Sequence, residues 1–384
     1  MNDDRPLEGI RVLDLSRLLP GPFATQVLAD LGAEVDKVED PGGGDYLRVM
    51  PPAADGVNAT FHALNRGKRS LVLDLKKKEG QDALLRLAAR YDVLVESFRP
   101  GVMERLGLGF ERMNAACPRL VWCAITGYGQ TGPLSARAGH DANYLSRAGV
   151  LGLTGPEQGP PQLAGVQIAD IGGALFGVAG VLAALEARHR TGRGRFVDVS
   201  MCESSLAFAV YGLTAWLGGL PTQPGAAPLM GGIAPYSTYR TKDGKAVSLG
   251  ALEPKFWIAF CQGVGIEPDM MALAPGPHQA EKKREVAAKI AERTRDEWAA
   301  FAEEVDCCLE PVLEPHEVPD DPQHRARGMF LAGAPFPMPR MPLAEHVTTC
   351  APAPAQGEHG EAILVEGGFT PDEVAALRAA GVTR

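Results

Sequence analysis

Short apolar runs alternate with stretches of helical spacing along the first 200 residues. The run GIRVLDL, residues 9–15, is rich in Leu and β-branched residues and reads as a strand. SRLLPGP follows as a loop in which Pro20 and Pro22 stand where a helix can begin. FATQVLADLGAE spaces its apolar residues as a helix does, Gly32 stands where that helix can end, and VDKVE resumes a strand. The alternation returns with SLVLDL at 70–75, helical QDALLRLAARY at 81–91, VLVESF at 93–98 and RLVWCAIT at 119–126. Strands alternating with helices pair in parallel through right-handed crossovers, so the pattern predicts an α/β domain.

Asp170 opens a long apolar helix, IGGALFGVAGVLAALEARHRTGRG, whose small residues would let another backbone approach closely. Its charge-free core between Asp170 and Glu186 reads as too short to span a bilayer. A Gly/Pro-rich interval at 218–235 looks like a linker or an active-site loop. Two strands around a Lys-Asp-Gly turn follow in YSTYRTKDGKAVSLGAL, then the helical patterns PKFWIAFCQGVG and EKKREVAAKIAERT, which together predict a second, smaller unit. A Pro-dense stretch from Ala332 to Gln356 carries little secondary-structure signal. The tail reads as a helix pair, with Thr370 and Asp372 as a cap.

Composition narrows the function classes. Hydrophobic residues are 45% and charged residues 22% of the 384, which excludes a disordered or fibrous chain. The net charge of -9 gives no basic surface for a nucleic acid, so an anionic ligand would depend on a few local cations. The seven cysteines include no CxxC pair and the eight histidines show no ligand spacing, so reduced thiols, no metal site and a cytoplasmic location are expected. MNDDRPLEG shows no signal-peptide pattern, and no membrane association is expected.

Four places carry candidate chemistry. Gly127, Gly129 and Gly132 match G-x-G-x-x-G after a strand, but Pro133 follows at once and no apolar-periodic helix comes after, so a glycine-rich turn lining some other pocket is the better reading. In AGHDANYLSRAG, His140 and Asp141 could supply a base or could simply brace a loop. Asp170 stands at a helix start, where a carboxylate is usually a cap; its apolar flanks would raise its pKa while a helix N-terminus would lower it. Glu253, between a strand-like run and a proline, reads by default as a surface loop acid.

The combined pattern is more specific than any one motif. DLSRLLPGPFATQVLADLGAEVDKVE, GDYLR, RGKRSLVLDLK, VESFRPGVMERLGLG, TGYGQTGP, AGHDANY, ADIGGALFGVAGVLAALEAR, TGRGRFVDVSM, APYSTYRTKDGKAVSLGALEPKFW and GEHGEAILVEGGF occur in this order over nearly the whole chain. Together they resemble the class III CoA-transferase family (CaiB/BaiF type), and most of all its α-methylacyl-CoA racemase branch. The resemblance implies a large Rossmann-like CoA-binding domain (1–200 with 343–384), a linker (201–226), a small α+β domain (227–312) and a return linker (313–342). It also implies an interlocked homodimer, with each active site between the large domain of one chain and the small domain of the other.

Position by position, the resemblance makes His140 a base, Asp170 the second base of a racemase or the nucleophile of a transferase, and Glu253 a carboxylate that orients the imidazole. It assigns the CoA moiety to Val72, Leu73, Asp74 and Leu75, to Glu96, Ser97 and Phe98, to Arg105, and to the Gly139–Tyr144 loop with Asp141. Arg66 and Arg69 are its candidates for the phosphates. An Arg-Pro pair common in racemases is here Asp40 and Pro41, so that contact is either lost or taken over by Lys37 or Arg48. The loop LMGGIAPYS lacks an acid and an aromatic residue that the family commonly carries, which bears on acyl preference.

These residue types suit racemisation, with CoA transfer as the alternative. Inverting a carbon beside a thioester carbonyl takes a proton from one face and returns one to the other, so one base must be protonated while the other is not. An imidazole, and a carboxylate raised by apolar burial, meet that need without any cofactor beyond the CoA of the substrate. A backbone donor from the helix at Asp170 and Ile171 would stabilise the enolate oxygen. The transferase alternative asks Asp170 to attack the thioester and pass CoA to a second acid through an aspartyl-CoA thioester.

Overall fold

The computed structural model describes residues 5–54, 57–156 and 159–384. Six strands form one parallel sheet: β1 (Arg11–Asp14), β2 (Glu34–Glu39), β3 (Arg69–Val72), β4 (Val93–Glu96), β5 (Val121–Thr126) and β6 (Phe196–Ser200). Their spatial order is β3-β2-β1-β4-β5-β6 and every neighbouring pair is parallel. The order reverses between β1 and β4. That doubly wound arrangement leaves a crevice outside the carboxyl ends of the strands, where open α/β sheets bind ligands.

Strands β4 and β5 are nearly uninterrupted apolar runs, as expected where helices cover both faces, whereas β2 buries the charged residues Asp36, Lys37 and Glu39. The helices of the chain's first half include α1 (Pro20–Asp30), α2 (Ala59–Asn65), α3 (Lys78–Ala88), α4 (Asp141–Arg147) and α5 (Ile168–Thr191). On one face Leu13, Leu71, Leu94 and Trp122 pack with Leu84 and Leu87 of α3 and with Ile363 and Leu364 of the tail. On the other, α5 lies against α1, β5 and β6. The small residues of α5 allow this approach: a Cβ on Gly180 would stand 2.5 Å from Val197 Cγ1. At 24 residues, α5 is long and apolar enough to cross a membrane, contrary to the sequence expectation, and half of its most apolar stretch is buried inside the protein.

The chain divides into two compact units, residues 1–145, 167–205 and 319–384, and residues 146–166 and 206–318. Residues 146–166, expected in the first domain, thus belong to the second unit, and 319–342, expected in the return linker, belong to the first. The segment 201–226 also differs from its expectation as a plain linker. It carries α6 (Met201–Phe208) and α7 (Val210–Leu217), an apolar run whose single glycine, Gly212, is buried within α7. Residues 332–356 do lack helices and strands, apart from isolated bridges.

In the second unit β7 (Tyr236–Arg240), β8 (Ala246–Gly250) and β9 (Leu309–Pro311) form an antiparallel sheet around the Lys-Asp-Gly turn. Its core stacks Trp257 and Phe260 of α8 (Pro254–Val264) near Trp298 of α10 (Arg295–Glu304), beside α9 (Gln279–Ile290). Both buried indole N–H groups are satisfied, Trp257 by Asp269 O at 2.9 Å and Trp298 by Ile290 O at 2.8 Å. In the tail, α11 (Gly360–Glu366) precedes α12 (Pro371–Ala379), whose capping box joins Thr370 to Glu373 rather than to Asp372.

Candidate active site

A cavity of about 890 Å³ occupies the crevice of the first unit. The segments that leave the strand ends line it: Leu15, Arg17, Leu18 and Leu19 after β1, Val38 to Asp40 at the end of β2, Leu73 and Leu75 after β3, Ser97 to Pro100 after β4, and Ile125 to Gly127 at the end of β5. His140, Tyr144 and Asp170 close the end nearest β5. The sequence order of the fold therefore brings His140 and Asp170 to one cavity, although 30 positions separate them.

Local bonding explains how each is held. His140 precedes α4; its backbone N–H donates to Asn143 Oδ1 at 3.0 Å, and its carbonyl accepts from the Asn143 N–H at 2.8 Å. Its side chain remains exposed to the cavity. The Tyr144 ring wedges between two glycines, and a Cβ would stand 2.4 Å from the ring at Gly127 and 2.7 Å at Gly139. Any other residue at either place would displace the wall that carries His140.

Asp170 is not the helix cap that its position suggested. Helix α5 begins two residues earlier, and its first free N–H groups are capped from α4: Asp141 Oδ1 accepts the N–H of Ala169 at 2.7 Å and of Asp170 at 3.2 Å. This frees the Asp170 carboxyl to face the cavity. It also engages the backbone donor expected to serve an enolate, since the Asp170 N–H goes to Asp141 and the Ile171 N–H to Gln167 O at 3.0 Å. Burial first, and then the Asp141 charge, push the Asp170 carboxyl up to about 7. The Tyr144 hydroxyl is pushed up to about 12, mainly by burial and next by the charge of Asp170.

Asp141→Asn separates the two contributions of that carboxylate. The amide oxygen can still accept both helix N–H groups, so the fold should persist, while the charge disappears. The Asp170 midpoint should then move toward acid but stay above an ordinary aspartate, because burial is the larger cause. A carbon-detected NMR titration of the Asp170 carboxyl measures this directly.

Of the residues assigned to the CoA moiety, Leu73, Leu75, Ser97, Phe98, Gly139 and Tyr144 line the cavity. Val72 is buried within β3, and Asp74 lies just beyond it, accepting the Lys76 N–H at 3.0 Å. Glu96 is buried at the end of β4, where burial pushes its carboxyl up to about 7 and its Oε2 accepts the Phe98 N–H at 2.7 Å. Arg105 is exposed at the end of the short helix Val102–Arg105, and Asp141 lies behind the cavity wall as the α5 cap.

The two phosphate candidates are engaged elsewhere. Arg66 is buried and forms a double hydrogen bond with Asp30, 2.5 Å on each arm. Arg69 grips Asp36 at 2.7 and 2.9 Å and reaches Glu366 at 2.9 Å. The candidates to replace the missing cation beside Asp40 are turned inward as well. Lys37 pairs with Asp45 at 3.0 Å, and Arg48 binds Glu39 at 2.8 and 2.7 Å. The cavity is lined instead by Arg17, Lys76, Arg99 and Arg137, none of which sequence reasoning singled out. Arg17 lies over the Tyr46 and Phe98 rings at 4.8 and 5.5 Å and donates to the Tyr46 hydroxyl at 3.1 Å. Only its place in the loop after β1, at the reversal of strand order, could have pointed to it.

Glu253 belongs to the second unit, where it is exposed and precedes α8, its carbonyl accepting the N–H of Phe256 and Trp257 at 3.1 and 3.2 Å. Among the described residues no cluster of His, Cys, Asp or Glu could hold a metal ion.

Comparison with known proteins shows the family. The sequence pattern of CoA-transferase family III matches residues 7–360. The chain belongs to that family. It is 38% identical to human alpha-methylacyl-CoA racemase over 97% of this chain and 96% of the relative, and 33% identical to human succinyl-CoA:glutarate CoA-transferase over 95% and 87%. A crystal structure of a CAIB/BAIF family protein from Brucella suis superposes with a TM-score of 0.81 at 33% identity, covering 94% of this chain and 99% of the other. The relatives of this enzyme family to which the chain is similar include both racemases and CoA-transferases.

Proposed function

We propose that the protein is a racemase or epimerase that inverts the α-carbon of 2-methyl-branched acyl-CoA thioesters by two-base proton transfer. The observation that carries this reading is that His140 and Asp170 line one cavity while burial holds the Asp170 carboxyl near 7. A base on one face removes the α-proton, the C–H electron pair moves into the thioester carbonyl as an enolate, and an acid on the opposite face delivers a proton to the same carbon. No group is oxidised or consumed. A carboxyl that is half protonated near neutrality can both accept and deliver a proton, so it suits either direction of inversion.

Arg17, Lys76, Arg99 and Arg137 supply the positive charge that the CoA phosphates require, and Leu73, Leu75 and Phe98 supply apolar wall. In the proposed interlocked homodimer Glu253 orients the imidazole. No cofactor is needed beyond the CoA of the substrate.

The transferase alternative draws on the same carboxyl, since Asp170 faces a cavity and relatives of that activity are similar over most of the chain. Attack on a thioester requires the ionised form, which a pKa near 7 makes less available than in an ordinary aspartate. One experiment separates the two. A single epimer of a 2-methylacyl-CoA, incubated in D₂O without a second acid, should take up deuterium at the α-carbon. Absence of uptake, with hydroxylamine trapping Asp170 as the hydroxamate once a CoA donor is added, would establish the transferase instead.

A further inference from the structure

Lys37 was a candidate for a phosphate contact, yet its side chain is fully buried in the middle of β2, beside Asp14 of β1 and Ser70 of β3 in register. A lysine is rarely buried without a partner that compensates its charge. Here the ammonium joins two loops. It donates to Ser16 O at 2.8 Å in the loop after β1 and pairs with Asp45 at 3.0 Å in the loop after β2. Asp45 is buried too, and its Oδ1 accepts the N–H of Leu18 from the first loop and of Leu47 from its own, each at 3.1 Å. Leu18 is held at φ +65°, a left-handed conformation that a branched residue adopts only when its surroundings impose it. Arg17, Leu18 and Leu19 on one loop and Tyr46 and Leu47 on the other all line the cavity.

We propose that Lys37 is a positioning residue: it fastens the loop after β1 to the loop after β2 and so sets the cavity wall against which the CoA thioester binds. The proposal rests on the CoA-thioester reading of that cavity. His140 stands just before α4 and Asp170 on α5, outside both loops, so losing the fastening should weaken binding and leave proton transfer at the bound carbon nearly unchanged.

The test is a double-mutant cycle with Lys37→Met and Asp45→Asn in the full chain. Each single change should raise KM for the acyl-CoA about 10- to 100-fold, the effect of losing one charged hydrogen bond, with kcat within about threefold. The double variant should be no worse than the poorer single one, because both remove the same link. Asp45→Asn keeps a side-chain oxygen for both backbone N–H groups, so that variant reports even if Lys37→Met does not fold. Amide hydrogen exchange without any substrate is the second readout: the N–H groups of Leu18 and Leu47 should exchange faster in each variant. Unchanged KM and unchanged exchange at those amides, or additive losses in the double variant, would overturn the proposal. Faster exchange in a protein whose wild type turns over no acyl-CoA would uphold the fastening and overturn the CoA reading alone.

Discussion

Asp170→Asn is expected to slow inversion of a 2-methylacyl-CoA by roughly 10²- to 10⁴-fold, the usual contribution of one acid-base group, with KM little altered. The amide matches the carboxyl in shape and cannot carry the proton. The wild-type pH profile should be bell-shaped in both directions. The two productive forms differ only in which group holds a single shared proton, so their ratio does not vary with pH. One limb should lie near 7, the midpoint of Asp170. Stability gives an independent check. The native carboxyl keeps its proton up to about 7, whereas an unfolded aspartate loses it near 3.8, so the native state binds more protons across that window and wild-type stability should fall as pH rises through it. The Asp170→Asn variant lacks this contribution, so its Tm should depend less on pH. Loss of both activity and Tm at every pH would instead mean that Asp170 holds the fold.

The second large effect concerns Arg66, which sequence reasoning placed on a CoA phosphate. Its guanidinium and Asp30 are both buried, with Asp30 also accepting from Gln26 Nε2 at 2.9 Å and from the Met341 N–H at 3.2 Å. Removing the cation leaves a buried carboxylate without its countercharge, which costs about 3–5 kcal/mol. Arg66→Met should therefore lower the denaturant midpoint substantially, and Arg66→Met with Asp30→Asn, which removes the charge and keeps an oxygen for Gln26 and Met341, should recover much of the loss. A phosphate ligand would show the opposite pattern, a raised KM with stability intact. Urea unfolding of the single and double variants decides between them.

The parallel sheet was legible because strands such as β4 and β5 are short apolar runs bounded by breakers, although the charged pattern of β2 hid how deeply that strand is buried. The hairpin of the second unit was legible from Lys242, Asp243 and Gly244. What escaped was set by long-range pairing. Asp141 caps α5 from 28 positions upstream, so the sequence near Asp170 could not show that its own carboxyl is free. Arg69 meets Glu366 across 297 positions, and no local pattern reveals that such a cation is already engaged. Arg17 had the reverse difficulty, being an ordinary loop arginine until strand order placed it over Phe98.

Two-sided attack on one carbon is tested most directly by following deuterium uptake separately from each pure epimer of a 2-methylacyl-CoA in D₂O, in His140→Ala and in Asp170→Asn. Each variant should still exchange the epimer whose proton faces the remaining base and should fail to exchange the other, with the two variants failing on opposite epimers. Equal loss on both epimers in either variant, or exchange of both epimers by Asp170→Asn, would contradict the arrangement.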